Sequence, residues 1–349
     1  MTTSAERAEG ALVGLAIGDA IGFQALVHTQ WQLPAKRQNF IWRTNQRAAE
    51  QRITRVAVPF THRLSEDLVA IGPTDDTELA LFSARILLDA ETPLTSRSFA
   101  EGWRRWMLTD DIRTGFAERA AIDNLRRGLE PPTTGRDNPQ RYEDGACARA
   151  VSIGIARARH VGAAADLARL DAEVSHAEDG VWAAQAMAVA IASLVGGASM
   201  DEALAAARAT LPSESWIAYM DRRAQTCLRS AGNPADLALL LSQQVIDGIY
   251  SYASIAPQTL PAAFALASCA TDPMQVMTAA NTIARAADSL PALVGALTGA
   301  YHGVASLPSR WRECVAEARG VCLPFTAGTN LSLTARCLLD LAQAAGSRA

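Results

Sequence analysis

The densest set of candidate metal ligands in this sequence follows a Gly-Pro pair in its first quarter. Thr74, Asp75 and Asp76 come directly after that pair, and an apolar run begins at Leu79. This order predicts a loop that enters a helix, with a hydroxyl and two carboxylates at the helix start. Such hard oxygen donors suit Mg²⁺, Mn²⁺ or Ca²⁺ better than they suit zinc. The stretch therefore predicts a divalent-cation site at a helix N-terminus.

The same stretch also suits a helix start with no function beyond structure. Thr and Asp are favoured N-cap residues, and carboxylates in a first turn interact favourably with the helix dipole. Asp75 and Glu78 together approximate a capping box. These residues alone leave both interpretations open.

Length and composition indicate a globular protein with a large core. The chain has 349 residues, of which 49% are hydrophobic, and its net charge is −4. A negative charge argues against a nucleic-acid partner, and the lack of a long uninterrupted apolar run argues against a membrane partner. Six scattered cysteines without a CxxC pair, and no visible secretory signal, predict a reduced, cytoplasmic setting.

The N-terminal segment predicts an apolar helix over residues 6–22 with glycine at every fourth position. Gly10, Gly14, Gly18 and Gly22 share one helix face, which predicts the close approach of another backbone. Asp19 interrupts this apolar segment. A buried carboxylate needs a partner, so Asp19 is expected either to support the metal motif from behind or to contact substrate.

Helical periodicity dominates the chain from residue 77 onward, and the only strand-like run covers residues 55–59. Residues 28–70 have no clear helical period and predict a long irregular excursion, which is either functional or solvated surface. The predicted fold is a single all-α domain over residues 1–349. Its further helices are predicted at 77–90, 96–108, 115–128, 146–159, 162–173, 179–195, 200–209, 213–230, 234–247, 260–269, 273–287, 290–305, 310–319 and 330–344.

Seven stretches, in order over roughly residues 8–303, resemble the ADP-ribosylglycohydrolase family, which includes the dinitrogenase reductase-activating glycohydrolases and the J1 crystallins. Residues 10–22 resemble the opening helix of the family, and residues 74–77 resemble its first metal motif. The other matching stretches are residues 115–116, 144–149, 175–179, 259–263 and 295–301.

The resemblance implies an all-α fold with two Mg²⁺ ions in a cleft, held by the Thr-Asp-Asp motif and by a later Asp-Thr-Asp-Thr motif. It implies cleavage of the N- or O-glycosidic bond at the ribose C1″ of an ADP-ribosyl group. A diphosphate would meet backbone N–H groups at the start of the helix after Asp144. The candidate substrate-binding residues are Asp19, Phe116, Asp144, Gly145, Cys147, Arg149, His176 and Arg285.

Structural alternatives stay open for several of these residues. Phe116 either stacks on adenine or packs in the core, and His176 either contacts a ligand or supports the scaffold. Cys147 is disfavoured as a nucleophile because no catalytic triad is visible in the sequence.

The second metal motif departs from the family pattern. Its first Asp is replaced by Ala286, its second Asp is kept as Asp288, and its last Thr becomes Ser289. The two preceding glycines become Ala284 and Arg285. Arg285 either substitutes for the positive charge of a missing ion or is an ordinary solvated arginine.

One Mg²⁺ ion is therefore expected rather than two, with no ion as the alternative. Its predicted ligands are Thr74, Asp75, Asp76, Asp288 and Ser289, and Asp75, Asp76 and Asp288 are the predicted catalytic residues. In the nucleotide loop, Asp144 replaces the usual Asn of the family, and its charge would repel a phosphate unless it is paired.

Three functions remain open. The first is a divalent-metal-dependent hydrolase that acts on an ADP-ribosylated or small-molecule substrate, with an altered metal site or substrate. The second is a catalytically inactive relative that binds ADP-ribose or has a structural role. The third is an enzyme of the same fold that acts on a different small molecule.

Overall fold

The structure, a computed structural model, describes residues 2–26, 72–90, 93–109, 111–246, 254–283 and 285–346, and the side chains of 23–26 and 345–346 are not considered. The predicted excursion at 28–70, the strand-like run at 55–59 and Ala284 lie outside the described residues.

The described residues are mostly helical, and their only β pairing consists of two isolated bridges, Glu143 with Ile255 and Glu317 with Asn330. The all-α prediction is confirmed. The α-helices are α1 Ser4–Leu26, α2 Asp75–Leu88, α3 Ser96–Trp106, α4 Phe116–Arg126, α5 Thr133–Arg136, α6 Gly145–Ala156, α7 Val161–Ala172, α8 Asp179–Gly196, α9 Met200–Arg208, α10 Trp216–Ser230, α11 Pro234–Gln244, α12 Ala256–Ser268, α13 Pro273–Asn281, α14 Leu290–His302, α15 Ser309–Cys314 and α16 Leu331–Gly346.

The boundaries of two helices differ from the predictions in a way that matters for the site. The helix predicted over 273–287 ends at Asn281, so the prediction was wrong for residues 282–287. Alanines made that part look helical, but the chain leaves the helix there and turns before α14 begins at Leu290. The helix predicted from residue 260 begins at Ala256, because Pro257 is accommodated in its first turn.

Helix α8 is long and apolar enough to cross a membrane by length and composition alone. Within this fold, 78% of it is buried. Its apolar residues therefore belong to the hydrophobic core, where they pack beneath α6 and α7.

The glycine stripe of α1 packs directly against the backbone of α14. A methyl group on Gly14 would overlap the carbonyl of Gly295, and one on Gly10 would overlap the carbonyl of Gly299. At the other end of the stripe, a methyl group on Gly22 would run into the carbonyls of Ala287 and Asp288. The stripe therefore fixes the turn that carries Asp288 against the end of α1.

We expect Gly14→Ala to destabilise the fold by about 1–3 kcal/mol, because the added methyl group forces two packed backbones apart. Gly162→Ala in α7 is the matched control, since nothing lies within 4 Å of its added Cβ. That control should be stabilised by about 0.5–1 kcal/mol through the helix preference of alanine. Urea unfolding measures both changes, and equal effects at the two positions would contradict the packing argument.

Candidate functional site

The start of α2 is held by Asp19, which reaches it from α1. The Asp19 carboxylate accepts hydrogen bonds from the backbone N–H groups of Thr74 and Thr77, at 2.8 and 3.0 Å. It also accepts the hydroxyl protons of both residues, at 2.5 and 2.6 Å. The partner that the buried Asp19 carboxylate needs is thus the first turn of α2. Asp19 does for this helix what an N-cap side chain normally does, and Thr74 makes no capping bond of its own.

The direction of these bonds affects what Thr74 can offer to the cleft. A hydroxyl has one proton and two lone pairs. Thr74 Oγ1 lies 2.5 Å from Asp19 Oδ1 and 3.3 Å from Asp75 Oδ1, so its proton is assigned to the shorter bond, to Asp19. The lone pairs of the Thr74 oxygen are consequently left for another positive group. This arrangement is the one expected for a hydroxyl that coordinates a cation while a carboxylate behind it fixes its orientation.

Glu78 does not complete a capping box with Asp75. Its carboxylate accepts hydrogen bonds from the backbone N–H groups of Val321, Cys322 and Leu323, at 2.7, 2.8 and 2.5 Å. Glu78 therefore anchors a distant loop to α2, and its proximity to the Asp pair in sequence has no capping role.

The carboxylates of Asp75, Asp76, Asp144 and Asp288, which lie at the start of α2, at the start of α6 and just before α14, interact electrostatically. Burial, followed by the charges of Asp75 and Asp19, raises the pKa of Asp76 well above its usual value. Burial, followed by the charges of Asp75 and Asp144, does the same to Asp288. The two motifs, more than 200 residues apart in sequence, are thus brought into electrostatic contact.

This donor set fits a hard divalent cation. Several carboxylates that are buried together repel one another, and a cation between them would relieve that repulsion. Among the described residues, no three Asp, Glu, His or Cys side chains converge tightly enough to enclose a metal ion. The predicted Mg²⁺ ligands Thr74, Asp75, Asp76, Asp288 and Ser289 therefore remain a prediction.

Asp144 contacts the second motif rather than an open phosphate site. Ser289 Oγ donates a hydrogen bond to Asp144 Oδ1 at 3.0 Å, and the Thr259 hydroxyl also bonds this carboxylate. Burial raises the pKa of Asp144 to about 6 despite these bonds. Asp144 occupies the N-cap position of α6, but its side chain accepts no capping hydrogen bond from the backbone N–H groups of that helix.

Glu118 and Glu143 are two further buried acids, not singled out by the sequence analysis, whose charges act on Asp144 and Asp288 respectively. Glu143 Oε2 accepts a hydrogen bond from the N–H of Ala117 at 2.7 Å. A Cβ atom on Gly115 would lie 3.0 Å from a carboxylate oxygen of each glutamate. The available signal for Glu118 was its position on the apolar face of α4, one turn before Ala121 and Ile122.

Arg149 lies beneath the site and is completely buried. It donates hydrogen bonds to Asp171 at 2.7 Å, to Glu118 at 2.8 Å and to Ser175 Oγ at 2.8 Å. Its guanidinium also lies 5.2 Å from the ring centre of Trp103. These contacts use each of its nitrogens, which gives Arg149 a supporting role under Glu118 rather than a surface for substrate.

His176 is buried beside this network. Its Nδ1 lies 2.7 Å from Ser175 Oγ. Because Arg149 donates to that oxygen, the serine proton is assigned to Nδ1, and the ring proton is assigned to Nε2. Burial, and then the charge of Arg149, lowers the pKa of His176 well below its usual value, so the ring is neutral. His176 also borders a cavity of about 480 Å³ that Trp182 helps to line.

The remaining candidates lie at different depths. Phe116 is 59% exposed at the start of α4, where it is accessible to a ligand. Arg285 is exposed. Cys147 is buried, and burial raises the pKa of its thiol well above the usual value, so the structure gives no support for a thiolate nucleophile. A Cβ atom on Gly145 would press on the Glu118 carboxylate, so glycine lets that acid approach α6.

Comparison with known proteins covers nearly the whole chain. A sequence profile of the ADP-ribosylglycohydrolase family matches residues 1–347. The curated "ADP-ribosylarginine hydrolase Tri1" of Pseudomonas putida (strain GB-1) is 26% identical over 333 residues, which cover 90% of this chain and 76% of that relative. A solved chain of an "ADP-ribosylglycohydrolase-related protein complex" shares the fold with a TM-score of 0.60 at 22% identity, and the match covers 97% of this chain and 99% of that one.

Proposed function

The chain belongs to the ADP-ribosylglycohydrolase family of glycosidic-bond hydrolases, and from that membership we propose that it cleaves an ADP-ribosyl group at the ribose C1″ with the help of a divalent cation. The resemblance seen in the sequence and the fold type that it implied are confirmed. Because the Pseudomonas relative is named an ADP-ribosylarginine hydrolase, we propose ADP-ribosylated arginine as the first substrate to test.

The observation that carries the proposal is the set of hydrogen bonds by which Asp19 orients Thr74 at the start of α2. Asp19 fixes both the backbone and the hydroxyl of Thr74, which leaves the oxygen lone pairs for a cation. Asp75 and Asp76 follow in the first turn; the charge of Asp288 acts on Asp76, and the charge of Asp75 acts on Asp288. We propose that Thr74, Asp75, Asp76 and Asp288 hold one Mg²⁺ ion, with Ser289 beside them. When bound, such an ion would supply Lewis acidity and lower the pKa of its water.

The test is hydrolysis of ADP-ribosylated arginine, followed as release of ADP-ribose, with Mg²⁺ and with EDTA. We expect turnover that needs Mg²⁺ and that falls more than about tenfold in Asp75→Asn, since changes even in groups behind the metal ligands cost this much. Asp89→Asn, at the exposed far end of the same helix, is the control and should keep its activity. Turnover that EDTA and Asp75→Asn leave unchanged would refute the metal site.

A second function is favoured by Ala286. This residue stands where the family has a metal-binding Asp, and it is 1% exposed within the hydrophobic core. A protein that kept the cleft but lost this ligand would bind ADP-ribose without hydrolysing an ADP-ribosyl bond. Saturable binding of ADP-ribose with no release from any substrate tested would support that function and remove the first.

A third function, action on a different small molecule, is favoured by Asp144, a buried carboxylate at the start of α6, where the resemblance implies a phosphate-binding loop. A diphosphate would be repelled there unless cations intervene. A cleft that binds divalent cations but no adenine nucleotide would support this third function. The six cysteines are free thiols, in keeping with the reduced, cytoplasmic setting that we propose for the protein.

A further inference from the structure

We propose that Asp144 replaces the carboxylate that the second metal motif lost at Ala286, and that Asp144 and Asp288 together bind a second divalent cation next to the first. This inference rests on the proposed function in one respect, since it takes the start of α2 as the first cation site. It changes the expected number of ions from one to two.

The first argument is the contact between Asp144 and the damaged motif. Ser289, the last residue of that motif, donates its hydroxyl proton to Asp144 Oδ1 at 3.0 Å. The two residues are 145 positions apart in sequence. The Thr259 hydroxyl holds the same carboxylate from α12. Position 286 thus has no carboxylate, but Asp144 at the start of α6 brings one to the same motif.

The second argument is an oxygen atom that the described contacts leave unpaired. Asp144 is 3% exposed, and its Oδ2 atom has no hydrogen-bond partner among the residues that the structure describes. A buried carboxylate oxygen is strongly destabilising unless a donor or a cation meets it. The Ser289 hydroxyl holds Oδ1 of this carboxylate, so a cation that meets Oδ2 would find the group already oriented.

The third argument is the electrostatic interaction between the carboxylates of the two proposed cation sites. Asp288 is within electrostatic range of both Asp75 and Asp144, and Asp76 is within range of Asp144 and Asp288. Asp288 therefore acts on the carboxylates of both sites, as a ligand shared between two neighbouring ions must. Arg149, a fully buried cation, is engaged by Glu118 and Asp171.

The fourth argument is the preference of magnesium itself. Mg²⁺ is commonly held by one or two carboxylates and keeps several of its waters, so it does not require a cage of three acidic side chains. Asp144 and Asp288 supply the two carboxylates. Ser289 Oγ donates a hydrogen bond to Asp144, so the lone pairs of this oxygen remain available to the second cation. Two ions sharing Asp288 would also offset the excess of negative charge in the cleft.

The experiment counts bound Mn²⁺, a spectroscopic substitute for Mg²⁺, by electron paramagnetic resonance and calorimetry without any substrate. We expect wild type to bind two ions, and Asp144→Asn to bind one or to lose affinity for the second at least tenfold. The double variant Asp144→Asn with Ala286→Asp should regain the second ion, because it restores the carboxylate at its family position. Asp166→Asn, an exposed change on α7, is the control and should match wild type.

One ion in wild type, or two ions of unchanged affinity in a folded Asp144→Asn, would overturn the inference. The wild-type count decides the matter even if a variant fails to fold. Failure of the proposed function is seen separately. Turnover with a single bound ion would leave that function standing and remove the second site. Two ions that depend on Asp144, with no substrate hydrolysed, would support the second site and remove the function.

Discussion

Arg149→Met should destabilise the protein by about 3–5 kcal/mol, because it leaves two buried carboxylates without their counter-charge. Glu118 and Asp171 are each about 1% exposed, and both are held by this one guanidinium. Methionine fills a similar volume but offers no hydrogen-bond donor. The free energy of unfolding, measured with urea and circular dichroism, gives the size of the loss.

A surface arginine provides the matched control for Arg149. Arg97 pairs with Glu101 one turn away on α3, and its side chain is 83% exposed. Arg97→Met should cost less than about 0.5 kcal/mol, since exposed pairs contribute little. Combining Arg149→Met with Glu118→Gln and Asp171→Asn should recover part of the stability by removing both unpaired charges. A loss below about 1 kcal/mol in the single variant would show that the buried network is not needed for the fold.

Asp19→Asn should cost about 3 kcal/mol and should also weaken binding of the first cation, because the start of α2 loses its charged acceptor. The carboxylate accepts bonds from two N–H groups and two hydroxyls. An amide of the same shape would turn an NH₂ group toward some of those donors. Urea unfolding and calorimetric titration with Mg²⁺ measure the two effects on the same preparation.

The control for Asp19 is another acid of the same helix. Glu9 lies 3.8 Å from Arg336 in a partly exposed pair. Glu9→Gln should cost less than about 1 kcal/mol and leave Mg²⁺ binding unchanged. If Asp19→Asn weakens neither the fold nor the cation affinity, Asp19 does not organise the site as its hydrogen bonds imply.

Local pattern predicted the two ends of the Asp19 interaction but not the pairing itself. Asp19 was expected to need a partner because it lies in an apolar segment, and the start of α2 was expected to need a cap. The capping bonds span 55 and 58 residues, and no periodicity in the sequence links those positions. Asp75 and Glu78 are close enough in sequence to predict a capping box, whereas Glu78 reaches a loop more than 240 residues away.

The glycine stripe shows the same limit. Four glycines on one face predicted that a backbone would pack closely, and α14 does so. Which helix it would be depended on the whole fold. Asp144 is the most instructive case, because the sequence placed it in a phosphate loop, whereas the structure joins it to Ser289. The helix predicted over 273–287 was correct up to Asn281 and wrong beyond it, because alanine favours a helix, whereas the turn that carries Asp288 is fixed by packing against Gly22.

The contact between α1 and α14 also determines when the site can form during synthesis. Helix α1 is made well before its partner α14, which begins at Leu290. Contacts between such distant segments form late, because a long loop must first be closed. The carboxylates on α1, α2 and the turn before α14 therefore cannot gather until most of the chain has been made. A growing chain would carry the Thr-Asp-Asp segment long before it had a site that could bind a cation.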